Sequence, residues 1–193
     1  MNRFAFKLSG YTMKTFSGFS RANVKINGER NIPEGSVIFT PNHFTRIETI
    51  FLPYHIHNLT GKEVWSLAAA ELFDIQVLNG FLTNLGAVST QDPNRDQVSL
   101  ETLLTQDVSW IIFPEGMLVK NKKTIKQDQF TLSNDEGVKR PHTGAAILAL
   151  RCEFYRERLR RQWQMAAPEF ERLKARFKIE DINSVFDRQT YIV

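Results

Sequence analysis

A histidine and a carboxylate stand five residues apart in the first third of the chain, at His43 and Glu48. His43 follows the apolar run 36–40, which predicts a strand, and Glu48 opens a stretch that predicts a helix over 48–56. At this spacing the carboxylate can fold back to hold one ring N–H, which leaves the other ring nitrogen as a base for an alcohol. The alternative is an unrelated histidine and glutamate on the surface.

A second acid follows the most hydrophobic run of the chain, 108–113, in the sequence Phe113-Pro114-Glu115-Gly116. Proline and glycine favour a tight turn, so Glu115 is expected at the end of a strand. Ligands of α/β sheets bind at the carboxyl ends of the strands, which makes Glu115 a candidate site residue. The alternative is a capped turn with a solvated acid.

Taken in order, Asn42-His43-x-Thr45-x-x-Glu48 and Phe113-Pro114-Glu115-Gly116 resemble motifs of the glycerophospholipid acyltransferase family, of the lysophosphatidic acid acyltransferase type. The resemblance covers residues 20–150. Flanking segments are similar to the lead-in strand and turn, the middle motif and the later helix start of that family: Val24–Gly28, Ile32–Gly35, Gly86–Val88 and Thr143–Ala146.

The resemblance implies transfer of an acyl group from a thioester, on coenzyme A or acyl carrier protein, to a hydroxyl of a lysophospholipid or related glycerolipid. It implies that His43 is the general base, that Glu48 orients it, and that neither a cofactor nor a metal is needed. The residues that it implies for substrate binding are Asn42, Thr45, Arg95, Phe113, Pro114, Glu115, Gly116 and Lys120.

Three positions depart from the pattern of that family. Glu48 replaces its usual aspartate, Thr90-Gln91 replaces the arginine of its middle motif, and Met117-Leu118-Val119 follows Gly116 in place of Thr-Arg-Ser. Arg95 is the nearest substitute for the missing arginine. Lys120, with Lys122 and Lys123, can supply positive charge for an acceptor phosphate.

The elements around these motifs alternate between strand and helix. Strands are predicted at 24–28, 36–40, 87–89 and 108–113, and a strand that runs into a helix is predicted at 63–73. Helices are predicted at 48–56, 77–85, 95–104 and from 143, and the stretch 117–140 is polar and irregular. The alternation predicts an α/β fold with a central mixed sheet covered by helices.

Four segments are predicted along the chain. Residues 1–23 form a basic amphipathic arm, 24–150 the α/β core, 151–187 a charged helical insertion near the C-terminus, and 188–193 the start of a further core strand in a fragment of a longer protein. In the insertion, the arginines at 156, 158, 160 and 161 belong either to helices that pack on the domain or to a membrane-facing surface.

The positive charge is concentrated at the beginning of the chain. The net charge is +4, yet residues 1–25 contain five basic residues and no acid. On a helical wheel Arg3, Lys7, Lys14 and Arg21 share one side and the phenylalanines spread over the other, which is typical of a helix at a membrane surface. The alternative is an amphipathic helix packed on its own domain. The first interpretation predicts a cytoplasmic protein on the inner face of a membrane.

Composition excludes several classes of protein. The apolar fraction of 42% and 15 phenylalanines exclude a mainly disordered chain, and the single cysteine, Cys152, excludes an internal disulfide and a cysteine zinc site. No apolar run is long enough to span a bilayer, and no nucleic-acid motif accompanies the arginines. Two alternatives to an acyltransferase remain: a catalytically degenerate membrane-binding module of the same fold, and a thioesterase or lipid hydrolase. The sequence has no Gly-x-Ser-x-Gly elbow, so a hydrolase of this fold would not be a serine hydrolase.

Overall fold

The computed structural model describes residues 25–43, 48–116, 125–126, 129–130, 132–134 and 137–193. The basic arm predicted over 1–23 lies outside these residues, as do Thr45 and Lys120.

A five-stranded sheet forms the centre of the molecule, with the strand order β3-β2-β4-β1-β9. Its strands are β1 (Ser36–Phe39), β2 (Glu63–Ala68), β3 (Ala87–Ser89), β4 (Val108–Ile111) and, after the four short strands named below, β9 (Thr190–Ile192). All four neighbouring pairs are parallel, so the α/β class is confirmed, but the described sheet is parallel where a mixed sheet was predicted. The strands run the same way because helical crossovers return the chain to the same edge each time.

The stretch predicted as irregular contains two short hairpins. Strand β5 (Ile125–Lys126) pairs antiparallel with β6 (Gln129–Phe130), and β7 (Leu132–Asn134) pairs antiparallel with β8 (Gly137–Lys139). Strands of two or three residues give no periodicity that a sequence reading can detect.

Six α-helices are described. They are α1 (Glu48–Thr60), α2 (Gln76–Asn84), α3 (Arg95–Thr105), α4 (Gly144–Gln164), α5 (Glu169–Arg176) and α6 (Ile182–Asp187). A turn of 3-10 helix, Ala70–Phe73, links β2 to α2. The predicted boundary between core and insertion, at 150/151, falls inside α4, which continues without a break. None of the helices in the described part of the chain is long and apolar enough to cross a membrane.

The main core lies between one face of the sheet and helices α3 to α6. Leu100, Leu103 and Leu104 of α3 are fully buried there, and the ring of Trp110 stacks on Trp65 with 5.8 Å between centroids. The indole N–H of Trp110 donates to Thr102 Oγ1 at 3.0 Å, so even the polar atom of this large side chain is satisfied. A smaller cluster on the opposite face joins α1 to β2 and β4.

The arginines of α4 are engaged within the helical region. Arg156 is buried and its Nε donates to the carbonyl of Val185 at 2.9 Å. Arg158 pairs with Glu169, and Glu157 accepts from both Arg160 and Arg161. These contacts favour helices that pack on the domain over an arginine surface that faces a membrane.

Candidate active site

The two sequence motifs follow strands β1 and β4, which lie side by side in the sheet. Strands β1 and β4 are neighbours with Phe39 opposite Ile111, and the N–H of Ile112 donates to the Phe39 carbonyl at 3.0 Å. Because both strands are parallel, the chain that follows each one emerges at the same edge. His43 and Glu115 therefore meet although they are 72 residues apart.

His43 and Glu48 are in direct contact. Nδ1 of His43 lies 2.7 Å from Oε1 of Glu48, and their side chains are 16% and 22% exposed. Glu48 is the first residue of α1, where the helix dipole favours a negative charge. An ionised carboxylate only accepts hydrogen bonds, so with Glu48 ionised and the imidazole neutral, Nδ1 is the donor and Nε2 has the free lone pair. No hydrogen bond from the described residues engages Nε2.

Glu115 holds the backbone beside the histidine. It is only 5% exposed, and its Oε2 accepts the backbone N–H of His43 at 2.9 Å. The ring of Phe113 lies against the His43 ring, with 4.4 Å between centroids and an angle of 30°. Glu48 thus fixes the tautomer, Glu115 fixes the loop, and Phe113 supplies an apolar wall on one face of the imidazole.

A second histidine, which the sequence analysis missed, lies over the turn at Gly116. Gly116 has a φ of +64°, and a Cβ built on it would come within 2.8 Å of the His142 ring. The backbone N–H of His142 donates to the Pro114 carbonyl at 2.7 Å, and its side chain is exposed. A histidine just before the Thr143-Gly144 start of α4 was the available signal, but nothing in the sequence ties it to residue 116.

Two predicted site residues do not touch the His43 side chain in the described contacts. Arg95 starts α3, and its guanidinium donates to the Thr90 carbonyl at 2.6 Å and to Asp96 at 3.1 Å. It follows β3, three strands from β1, which at the usual strand spacing separates the two strand ends by roughly 14 Å. Asn42 is exposed beside His43.

The single thiol is remote from this chemistry. Cys152 lies fully buried in the main core, and burial raises its pKa to about 12, so it stays protonated at neutral pH. Among the described residues there is also no group of three or more histidine, cysteine, aspartate or glutamate side chains placed to hold a metal ion.

Comparison with known proteins gives one finding. A family model described as acyltransferase matches residues 23–158, which is well over half of the chain and includes His43, Glu48 and Glu115. No curated protein sequence and no solved structure gives a significant match.

Proposed function

Since the chain belongs to the glycerophospholipid acyltransferase family, we propose that His43 and Glu48 form the dyad of an enzyme that transfers an acyl group from a thioester to a glycerolipid hydroxyl. The donor would be carried on coenzyme A or acyl carrier protein, and the acceptor would be a lysophospholipid or a related lipid used in phospholipid synthesis. The observation that carries the proposal is the contact of 2.7 Å between His43 Nδ1 and Glu48 Oε1 at the end of β1.

The dyad accounts for both the attack on the thioester and the departure of the thiol. Nε2 of His43 removes the proton of the acceptor hydroxyl while the hydroxyl oxygen attacks the thioester carbonyl carbon, which gives a tetrahedral intermediate. The carbon–sulfur bond then breaks, and the imidazolium returns its proton to the departing sulfur. The products are an ester and a free thiol. Glu48 keeps Nδ1 protonated throughout and faces the ring where positive charge develops.

Exposed groups beside the dyad supply candidates for acceptor binding. Asn42 precedes His43, and His142 lies over Gly116, so both can reach a polar head group at the mouth of the site. Lys120 and Thr45, implied by the family resemblance, complete this proposed set. The five basic residues within 1–25 support a membrane surface, on its cytoplasmic side, as the place of reaction.

The test is release of free thiol from an acyl thioester in the presence of lysolipid acceptors. We expect His43→Ala to lower the rate about 10²- to 10⁴-fold, since it removes a general base. His55→Ala is the matched control, because His55 lies in the same helix as Glu48 but packs on Phe51 and Tyr54. Circular dichroism of both variants checks that they fold.

Three outcomes would overturn the proposal. Full activity in His43→Ala would remove the histidine from the mechanism. No thiol release by the wild type with any acceptor would favour a catalytically degenerate membrane-binding module of the same fold. Thiol release at the same rate without an acceptor would mean that His43 activates water, and the protein would then be a thioesterase or lipid hydrolase.

A further inference from the structure

The carboxylate of Glu115 bonds to the backbone of the chain. Glu115 is only 5% exposed, and its Oε2 accepts the backbone N–H of His43 at 2.9 Å. A side chain with so little area open to solution has little surface left for an acceptor molecule. Its described hydrogen bond serves the residue that carries the proposed base.

The backbone at His43 needs such a partner. Residues 40–43 belong to neither a strand nor a helix, so the regular pairing of β1 ends before the histidine. Pro41 has no amide hydrogen to donate. The N–H of His43 is partly buried, and a backbone donor that is removed from water has to be paired. Glu115 therefore does for His43 what a neighbouring strand does for the residues of β1.

The turn that presents Glu115 is itself closed. Residues 113–116, which we call the β4 turn, are a β-turn in which the N–H of Gly116 donates to the Phe113 carbonyl at 3.1 Å. The N–H of His142 donates to the Pro114 carbonyl at 2.7 Å, and the residue just before the turn is paired with β1. The β4 turn therefore cannot move without breaking a backbone bond to β1 or to the segment that leads into α4.

The β4 turn contacts His43 at two places. Glu115, its third residue, holds the backbone N–H, and Phe113, its first residue, lies against the ring with 4.4 Å between centroids. Glu48 makes the contact at Nδ1 from the start of α1. The turn thus fixes where the imidazole is attached and how it is tilted, whereas Glu48 fixes which of its nitrogens is protonated.

We propose that Glu115 is a positioning residue: it acts on the reaction through the backbone of His43 and does not bind the acceptor. This role replaces the substrate-binding role that the family resemblance implies for it. The reaction itself rests on the proposed function, whereas the positioning of the His43 ring does not. Because reacting groups have to be held within about 0.5 Å of the productive geometry, loss of the Glu115 hydrogen bond should lower kcat and leave the KM of the acceptor nearly unchanged.

Two substitutions of Glu115 test this role by thiol-release kinetics. Glu115→Met has a similar length but no oxygen, so it leaves the N–H of His43 unpaired. We expect its kcat to fall about 10- to 100-fold, because displacement of a reacting group by about 1 Å can cost 100-fold. Glu115→Gln keeps an oxygen that can accept the N–H, so its kcat should fall by at most about fivefold.

Glu34→Met is the matched control. Glu34 is exposed in the turn at the opposite end of β1, so its substitution should leave both kcat and KM at the wild-type values. Circular dichroism of the three variants checks that they fold.

The head group of the acceptor provides a second readout. A residue that acts through His43 lowers the rate by the same factor for every acceptor, whereas a residue that binds the acceptor lowers it by a factor that depends on the head group. We expect equal factors with lysophosphatidic acid, lysophosphatidylcholine and a monoacylglycerol. A loss in Glu115→Gln beyond the expected limit, or one that changes with the head group, would overturn the proposal even if Glu115→Met fails to fold.

The tautomer of His43 gives a readout that needs no turnover. In protein made with isotopically labelled histidine, nuclear magnetic resonance detects the ring nitrogens through the carbon-bound ring protons, and the His43 signals are identified by their absence in His43→Ala. We expect the wild type and Glu115→Gln to show the Nδ1–H form that bonds to Glu48, and Glu115→Met to show a mixture of both tautomers. An unchanged tautomer in folded Glu115→Met would overturn the positioning role.

The two readouts separate this proposal from the proposed function. The expected tautomers without any thiol release would contradict the proposed function alone. Thiol release that Glu115→Met leaves at the wild-type rate would contradict the positioning role alone.

Discussion

His43 is held at three points, by Glu48 at its ring nitrogen, by Glu115 at its backbone and by Phe113 against its ring face. Only the first of these contacts is made to a ring nitrogen, so only the Glu48 carboxylate bonds directly to the ring when the imidazole takes up a proton and becomes positive. Glu48→Gln keeps an acceptor for Nδ1–H but removes the charge of the carboxylate. Because hydrogen bonds to charged groups are stronger than neutral ones by about 1 kcal/mol, we expect thiol release to fall by about fivefold, less than in His43→Ala. Unchanged kinetics in Glu48→Gln would contradict a charged partner.

Gly116 is constrained in two ways at once. Its φ of +64° disfavours any side chain, and a Cβ there would collide with the His142 ring at 2.8 Å. We expect Gly116→Ala to lower the free energy of unfolding by about 1–3 kcal/mol, measured by urea denaturation. Removing the His142 ring removes the collision but keeps the backbone cost. Gly116→Ala should therefore lower the free energy of unfolding less when it is added to His142→Ala than when it is made in the wild type. An equal loss in the two backgrounds would mean that the backbone conformation alone requires glycine.

At the scale of the elements, one ion pair links α3 to α4. Arg151 Nη1 donates to Asp96 at 2.5 Å, and this hydrogen bond, with a smaller one from Arg95, lowers the pKa of Asp96 below its usual 3.8 against the opposing effect of burial. The ionised form is favoured by folding, so the stability it adds is present above pH 3.8 and is lost as the pH falls through the lowered pKa. Both side chains are more than a third exposed, so the contribution is below about 1 kcal/mol.

Asp96→Asn tests this pH dependence. Its free energy of unfolding should lie below that of the wild type at pH 7, and the two values should converge as the pH falls from 3.8 through the lowered pKa of Asp96. Asp74→Asn, which removes an exposed acid from another part of the surface, should show no such convergence. A difference between wild type and Asp96→Asn that does not shrink at any pH below 3.8 would contradict the linkage.

The elements also show what a sequence can predict and where it fails. The edge that carries His43 and Glu115 was predictable because two apolar runs each end in a proline turn. The role of Glu115 was not, since its hydrogen bond to the His43 backbone depends on β1 and β4 being neighbours. The change from apolar to charged sequence after Leu150 indicated a boundary, yet α4 continues because Cys152, Arg156 and Leu159 still face the core.

At the scale of the whole molecule, reaction of the buried Cys152 thiol measures how often the domain unfolds. Cys152 is the only cysteine, it is fully buried, and burial raises its pKa to about 12. We expect a thiol reagent at pH 8 to leave the native protein unlabelled over the time of an activity assay and to find one thiol per chain in urea. Fast labelling of the native protein would contradict this packing. If the prediction holds, the protein adds no background to a thiol-release assay.

Strand β1 pairs with β9, a segment that is synthesised much later. Thr40 donates its backbone N–H to the Val193 carbonyl at 2.7 Å, and Val193 donates to Ile38 at 3.0 Å, across 153 residues for the first pair. Pairings between such distant segments form slowly, because the intervening loop must close before any contact rewards it. A ribosome-bound chain that has yet to expose β9 therefore lacks one of the two neighbours of β1. Thr40 stands three residues before His43, so the segment that leads to His43 gains its contact with Val193 only when β9 joins the sheet.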